Sequence, residues 1–206
     1  MFFLDRFYDI LLSVYLYNEK RGYTYLEQLL GAFQESFPAE KQIIASIAKH
    51  AGDERRHYAL FQEYFREQNR AAFLVSSWCG YCDQMVSCIF GKTIDQLDPN
   101  AIVHEQQKFF QLCRLIMITE MRGMKQVRLI LKNPLIKNRP ELTKIFRVVE
   151  RDEPSHCYPY QAWLRKHGQH EPSKKEYLAD CFVHYSLMLV KLPLLYCNPF
   201  LRRINT

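Results

Sequence analysis

The tetrapeptides Glu54-Arg55-Arg56-His57 and Glu153-Pro154-Ser155-His156 constrain this chain more than any other feature. Three residues are just under one helical turn, so each Glu-x-x-His sets a carboxylate and an imidazole on one helix face. In an antiparallel helical hairpin, residues at equal depth lie equally far from the turn. Glu19 and Glu54 are centred on Gln34-Glu35-Ser36-Phe37-Pro38, where a helix break is expected with Pro38 opening the next helix. Glu120 and Glu153 are centred on Asn133-Pro134-Leu135-Ile136-Lys137-Asn138-Arg139-Pro140, a stronger break. Each lone glutamate is therefore level with its Glu-x-x-His, about 25 Å from the turn at 1.5 Å per residue. The second half repeats the first at an offset of about 100 residues (120 − 19 = 101; 153 − 54 = 99).

The helix faces agree with this register. At 100° per residue, Tyr8, Leu12, Tyr15, Glu19, Leu26, Leu30 and Phe33 lie near one line. Glu54 and His57 continue a stripe with Ile43, Ile47, Ala51, Phe61 and Phe65. Glu120 continues one with Phe109, Cys113, Ile116 and Val127, and Glu153 and His156 one with Leu142, Phe146, Val149, Tyr160 and Trp163. Four glutamates and two histidines thus interrupt otherwise apolar stripes. A buried, unpaired carboxylate is expensive, and a metal ion is the usual remedy. Most glutamates are solvated surface charges, but that reading must account for six residues at once. Glu27, a rival for the first position, lies well off the apolar stripe, and its midpoint with Glu54 falls inside the second helix.

This pattern resembles the ferritin-like di-iron carboxylate superfamily over residues 3–167, with the likeness carried by Glu19, Glu54, His57, Glu120, Glu153 and His156. The resemblance implies an all-α fold, a ferritin-like four-helix bundle with a long crossover between its second and third helices. It also implies that Glu19, Glu54 and His57 bind mainly one iron, and Glu120, Glu153 and His156 mainly the other, some glutamates bridging both. Fold resemblance alone does not choose among the family's ferroxidases, rubrerythrins, oxygenases and ribonucleotide reductase small subunits. His50, one turn before Glu54, is an additional candidate ligand or a neighbour of the ligands. Pro154 and Pro159 fall inside the fourth helix and are expected to kink it around His156.

Along the chain, helices are expected at about 3–33, 38–69, 99–131 and 140–167, forming a bundle over 1–170 with the crossover at 70–98. The region 171–206 adds a C-terminal helix of about 173–192, ending near Pro193 after the break at Gly168-Gln169-His170-Glu171-Pro172. The apolar run 185–196 is too short and broken to span a bilayer. It is expected to pack on the bundle or a second subunit, with peripheral membrane contact through 185–201 as the alternative. Trp78-Cys79-Gly80-Tyr81-Cys82 looks like a thioredoxin centre. The flanking long helices argue for structural cysteines, with a redox pair or labile metal site as the alternative.

A chain of 206 residues suffices for one well-buried domain, and only 7 glycines suit a helical one. The charged N-terminal segment Met1-Phe2-Phe3-Leu4-Asp5-Arg6 and an unpatterned set of 7 cysteines point to a reducing cytoplasm. The net charge of +6 comes with no recognisable nucleic-acid motif. Carboxylate-rich ligation suits iron, with manganese as the alternative. Tyr15, Phe61, Cys113, Ile116, Met117, Val149 and Tyr160 around the metals would suit an apolar guest. The expectation is therefore a di-iron enzyme that uses O₂ and an external electron donor to oxidise or hydroxylate a small, largely apolar substrate, as a monomer or homodimer. A ferroxidase or iron-handling protein, a ferritin-like tRNA-modifying hydroxylase and a non-catalytic interaction protein are the alternatives.

Overall fold

A computed structural model describes residues 2–169 and 171–204 of the chain; His170, in the expected break, lies outside them. The described residues are helical almost throughout. Four long helices make the body: α1 (Phe2–Ser36), α2 (Lys41–Glu67), α5 (Gln106–Lys132) and α7 (Pro140–Lys166). Short elements lie between them: α3 (Tyr81–Phe90) and α4 (Pro99–His104) in the crossover, and α6 (Pro134–Lys137) in the second break. Pro38 sits in a turn and does not start α2, which begins at Lys41. The third helix is broken, since α4 ends at His104 and α5 starts at Gln106, with Glu105 extended between them (φ −100, ψ 90).

The apolar stripes make the packing. α1 packs on α2, α5 on α7, and the two hairpins meet through α2 and α7. Leu12, Phe33, Ile47, Phe61, Phe65, Cys113, Leu142, Phe146 and Val149 are essentially inaccessible in the resulting core. Cross-helix contacts fix the directions. His50 meets Tyr160, Asp53 meets His156 and His57 meets Asp152, so α2 and α7 run antiparallel. Since α5 is antiparallel to α7, α2 and α5 are parallel, and the 70–98 segment must carry the chain the length of the bundle. Its start is tied down by a two-residue antiparallel pair, β1 (Ala72–Phe73) with β2 (Arg203–Ile204).

Pro154 and Pro159 do not end α7. Ser155 Oγ bonds the Asp152 carbonyl at 2.8 Å and also accepts from Lys49 Nζ at 2.8 Å, holding this turn.

The C-terminal rod departs from expectation. It does not stop near Pro193. α8 (Lys174–Ser186) passes through a π turn, Leu187–Lys191, into α9 (Leu192–Cys197). A proline ring collides with the carbonyl four residues earlier in a regular helix, and a wider π turn just before Pro193 relieves that collision. The continuous rod Lys174–Cys197 has 24 residues, and an 18-residue stretch of it has a mean hydropathy of 1.4, long and apolar enough by length and composition alone to cross a membrane.

Candidate metal centre

All six candidate ligands come together at mid-bundle. His57 and His156 are fully buried, and Glu19, Glu54 and Glu153 nearly so. Side-chain atoms converge in two groups: Glu19, Glu54 and His57 in one, and His50, Glu54, Glu120 and His156 in the other. Glu54 belongs to both and so occupies a bridging position. The first group is the one the resemblance implied. In the second, His50 stands where Glu153 was expected. Glu153 lies at the same level, buried, with its carboxylate turned toward Gly123. Glu27 lies outside, exposed and ion-paired with Arg55.

The spacing suits metal ions. His57 Nδ1 lies 3.3 Å from Glu19 Oε2 and 3.8 Å from Glu54 Oε1. His156 Nδ1 lies 3.3 Å from Glu54 Oε1 and 3.6 Å from Glu120 Oε2. His50 Nε2 lies 3.5 Å from Glu120 Oε1. Metal–ligand bonds of about 2.1 Å at right to tetrahedral angles set adjacent ligand atoms about 3.0–3.4 Å apart, which the two 3.3 Å separations match while the other three are slightly wider. Four of the inward atoms, Glu19 Oε2, His57 Nδ1, Glu153 Oε2 and His156 Nδ1, are buried without a hydrogen-bond partner. Orphaned buried polar atoms are rare and need an explanation. Three of them, Glu19 Oε2, His57 Nδ1 and His156 Nδ1, belong to the converging groups, where a metal ion would satisfy them.

The outer nitrogens are held crosswise. His57 Nε2 on α2 donates to Asp152 Oδ2 on α7 at 3.1 Å, and His156 Nε2 on α7 donates to Asp53 Oδ2 on α2 at 3.1 Å. Each imidazole is thereby oriented with Nδ1 inward. Arg56 joins the two aspartates, at 2.8 Å from Asp53 Oδ1 and 2.7 Å from Asp152 Oδ2. Burial would raise the Asp152 pKa, but hydrogen bonds from Arg56, His57 and Arg151 bring it down to about 2. Both aspartates directly precede a Glu-x-x-His, so the repeat in the sequence is Asp-Glu-x-x-His. A second repeated pattern is Glu19-x-x-Gly22 and Glu120-x-x-Gly123. A Cβ on Gly22 would lie 3.0 Å from Glu54 Oε2, and one on Gly123 3.4 Å from both Glu153 oxygens. The glycines leave room for the carboxylates of the facing helix. The sequence reading used neither repeat, though both carry the same offset as the ligands.

Asp152→Asn removes the charge that orients His57. The expected outcome is roughly 10–100-fold weaker metal binding with the fold retained, measured by chelator competition.

Burial raises Glu19 to about 7. Burial, with the neighbouring Glu19 charge, does the same to Glu54. Burial and the charge of Glu120 push Glu153 well above the carboxylate range. Glu120 goes the other way: His50 and His156 overcome its burial and hold it well below. Burial would lower His156, but the Glu120 and Glu54 carboxylates raise it to about 11, whereas burial lowers His57. Without metal, then, the centre is a cluster of shared protons around one imidazolium.

The lining is packed. The Tyr15 ring lies 5.6 Å from Phe61 and 5.3 Å from Phe146 (centroid distances), and the Tyr15 hydroxyl is buried without a partner. His50 stacks on His156 at 4.1 Å, and its Nδ1 lies 3.2 Å from the Tyr160 hydroxyl. The Trp-Cys-Gly-Tyr-Cys segment folds as a turn leading into α3, not as part of a strand–helix unit. Tyr17 donates to Asp83 Oδ2 at 2.9 Å, Arg21 pairs with Asp83 at 2.8 Å, and the Cys82 amide donates to Asn18 Oδ1 at 3.3 Å. A Cβ on Gly80 would meet Tyr17 at 2.5 Å, so the close approach requires glycine. The first turn of α3 thus lies across the turn of α1 that carries Glu19. Burial, together with the charges of Glu120, Glu54 and Asp83, raises the Cys82 thiol pKa well above its ordinary value. Cys79 and Cys82 are both free.

In comparisons with known proteins, no family model, curated protein or solved structure matches this chain.

Proposed function

We propose that the protein is a ferritin-like di-iron oxidoreductase that uses O₂ to oxidise or hydroxylate a small, largely apolar substrate, with electrons from an external donor. The observation that carries this reading is the convergence of Glu19, Glu54 and His57, and of His50, Glu54, Glu120 and His156, with Glu19 Oε2, His57 Nδ1 and His156 Nδ1 buried without a partner while aspartates hold the outer histidine nitrogens. A donor set of carboxylates and imidazoles with no thiolate among the converging atoms suits iron or manganese. Two ferrous ions held there would supply electrons to O₂.

The chain's own residues do the rest. Glu54, common to both groups, would be available to an ion held by either one. Asp53 and Asp152 hold the proton on each outer Nε2 and aim Nδ1 inward, so that a metal ion would take the place of the shared protons there. Glu153, raised by burial and the Glu120 charge, holds a proton beside Glu120 more readily than an ordinary carboxyl does. Phe61, Phe146 and the Tyr15 ring exclude water from one side of the centre. Hydroxylation consumes O₂, two electrons and two protons, and yields the alcohol and water, so a donor and a proton store are both required.

Iron analysis after anaerobic reconstitution, followed by O₂ uptake, tests the proposal. The expected outcome is about two irons per chain and O₂ uptake that accelerates with an apolar substrate and a reductant. Failure to retain metal after reconstitution overturns the reading. Many irons per chain in a large soluble assembly would indicate a ferroxidase instead.

A further inference from the structure

The C-terminal rod Lys174–Cys197 buries polar pairs and leaves an apolar row exposed. Glu176, Asp180, His184 and Lys191 face the bundle. Arg114 Nε donates to Glu176 at 3.0 Å, and Arg122 Nε and the Tyr81 hydroxyl donate to Asp180, the former at 3.0 Å. His184 Nδ1 lies 3.1 Å from Gln126 Nε2, and Lys191 Nζ donates to Gln84 at 3.0 Å beneath the Trp78 ring. Val183, Leu187 and Leu192 pack inward, but a row of apolar residues faces outward: Leu178, Phe182, Tyr185 and Leu189 are 70, 70, 58 and 71% exposed. At 100° per residue these four lie within about 60° of arc. Phe200, past the helix end, is 87% exposed. Rolling the rod to bury this face would break every one of the inner pairs, so the orientation is set by the ion pairs. A continuous exposed apolar surface of this kind marks an interaction site.

Size and charge point to the occupant. A rod of 24 residues is about 36 Å long, and a strip about 10 Å wide gives roughly 360 Å², under half of the ~800 Å² per partner of a standard protein interface. From Lys174 to Ile204 the only carboxylates are Glu176 and Asp180, and both are buried in ion pairs. What the segment presents outward is apolar side chains bracketed by exposed Lys174 and Lys175 at one end and Arg202 at the other. We propose that this face docks flat on an anionic bilayer, with the apolar row at the boundary between headgroups and acyl chains and the terminal cations on the lipid phosphates. The rod lies on the membrane and does not span it, because its inner residues stay paired to the bundle. The proposal does not depend on the metal chemistry.

Flotation of the full-length protein with phosphatidylcholine vesicles, with and without an anionic phosphatidylglycerol fraction, tests it. Wild type is expected to float with the anionic vesicles and to be released by salt. The double variant Phe182→Glu/Leu189→Glu is expected to lose at least about tenfold in partitioning. Lys174→Gln and Lys175→Gln should each cost about fivefold. Both positions of the double variant are exposed, so its thermal unfolding and metal content should match wild type. Wild type that stays in solution with both vesicle types overturns the proposal. So does equal flotation of the double variant. A wild-type dimer that the double variant dissociates, with no vesicle binding, would assign the face to a second copy of the chain.

Discussion

Glu54→Ala abolishes binding of both metal ions, whereas Glu19→Ala leaves one. Glu54 is the carboxylate shared by the two converging groups, and Glu19 belongs to one of them alone. Retained metal, measured by elemental analysis after anaerobic reconstitution and desalting, should fall from about two per chain to near zero for Glu54→Ala and to about one for Glu19→Ala. The fold should survive, because Glu54 carries a desolvation penalty that the truncation removes. Circular dichroism showing parental helicity is the control. Equal losses in the two variants would mean that Glu54 does not bridge.

The metal-free protein loses stability as the pH rises from about 4.5 through 7, and metal reverses the trend. Glu19 and Glu54 have folded-state values near 7 against an ordinary 4.5. Over that interval the folded state binds more protons than the unfolded chain, so unfolding becomes easier as pH rises. One such carboxyl contributes about 3 kcal/mol across the interval, since 7 − 4.5 is 2.5 pH units at ~1.36 kcal/mol each. The two repel one another, so the contributions do not simply add. His156, raised to about 11, acts in the same direction above neutrality. Asp152, held near 2, acts oppositely, and its stabilisation is lost only as the pH falls toward 2. Thermal scans of metal-free protein should therefore show a midpoint lower at pH 8 than at pH 5 by roughly 6–12 °C. With ferrous iron the order should invert, because each bound metal displaces protons from the same atoms and binds better as pH rises. A flat metal-free profile would mean that these carboxyls are not desolvated.

Much of this centre is legible in the sequence because helices convert spacing into geometry. Equal distance from a turn means equal depth in a hairpin, and a spacing of three means one face, so Glu19, Glu54, His57, Glu120, Glu153 and His156 can be aligned without coordinates. The aspartates before each Glu-x-x-His and the glycines after Glu19 and Glu120 were equally present in the chain. Their roles are contacts across helices, and a periodicity argument on one helix does not display them. The same limit explains why His50 and Glu153 exchange places in the second group. Both share the depth of the ligands, and the difference lies in which way each side chain turns once α2, α5 and α7 are packed.

The C-terminal rod shows the division most plainly. Hydropathy alone marks Tyr185–Tyr196 as apolar and predicts a buried face, because apolar residues usually drive packing. The structure packs Leu187 and Leu192 on the bundle and leaves Tyr185, Leu189, Val190 and Leu194 exposed. Glu176, Asp180 and Lys191 find partners only on the bundle, in Arg114, Arg122 and Gln84. By itself, then, the sequence determined which helices form and which residues share a stripe and a depth, because those follow from local periodicity and turn chemistry. Tertiary structure alone decided which aspartate holds which histidine, which carboxylate is shared, and which side of the last helix faces out. Each of those depends on partners distant in the chain, whose positions exist only once the helices have packed.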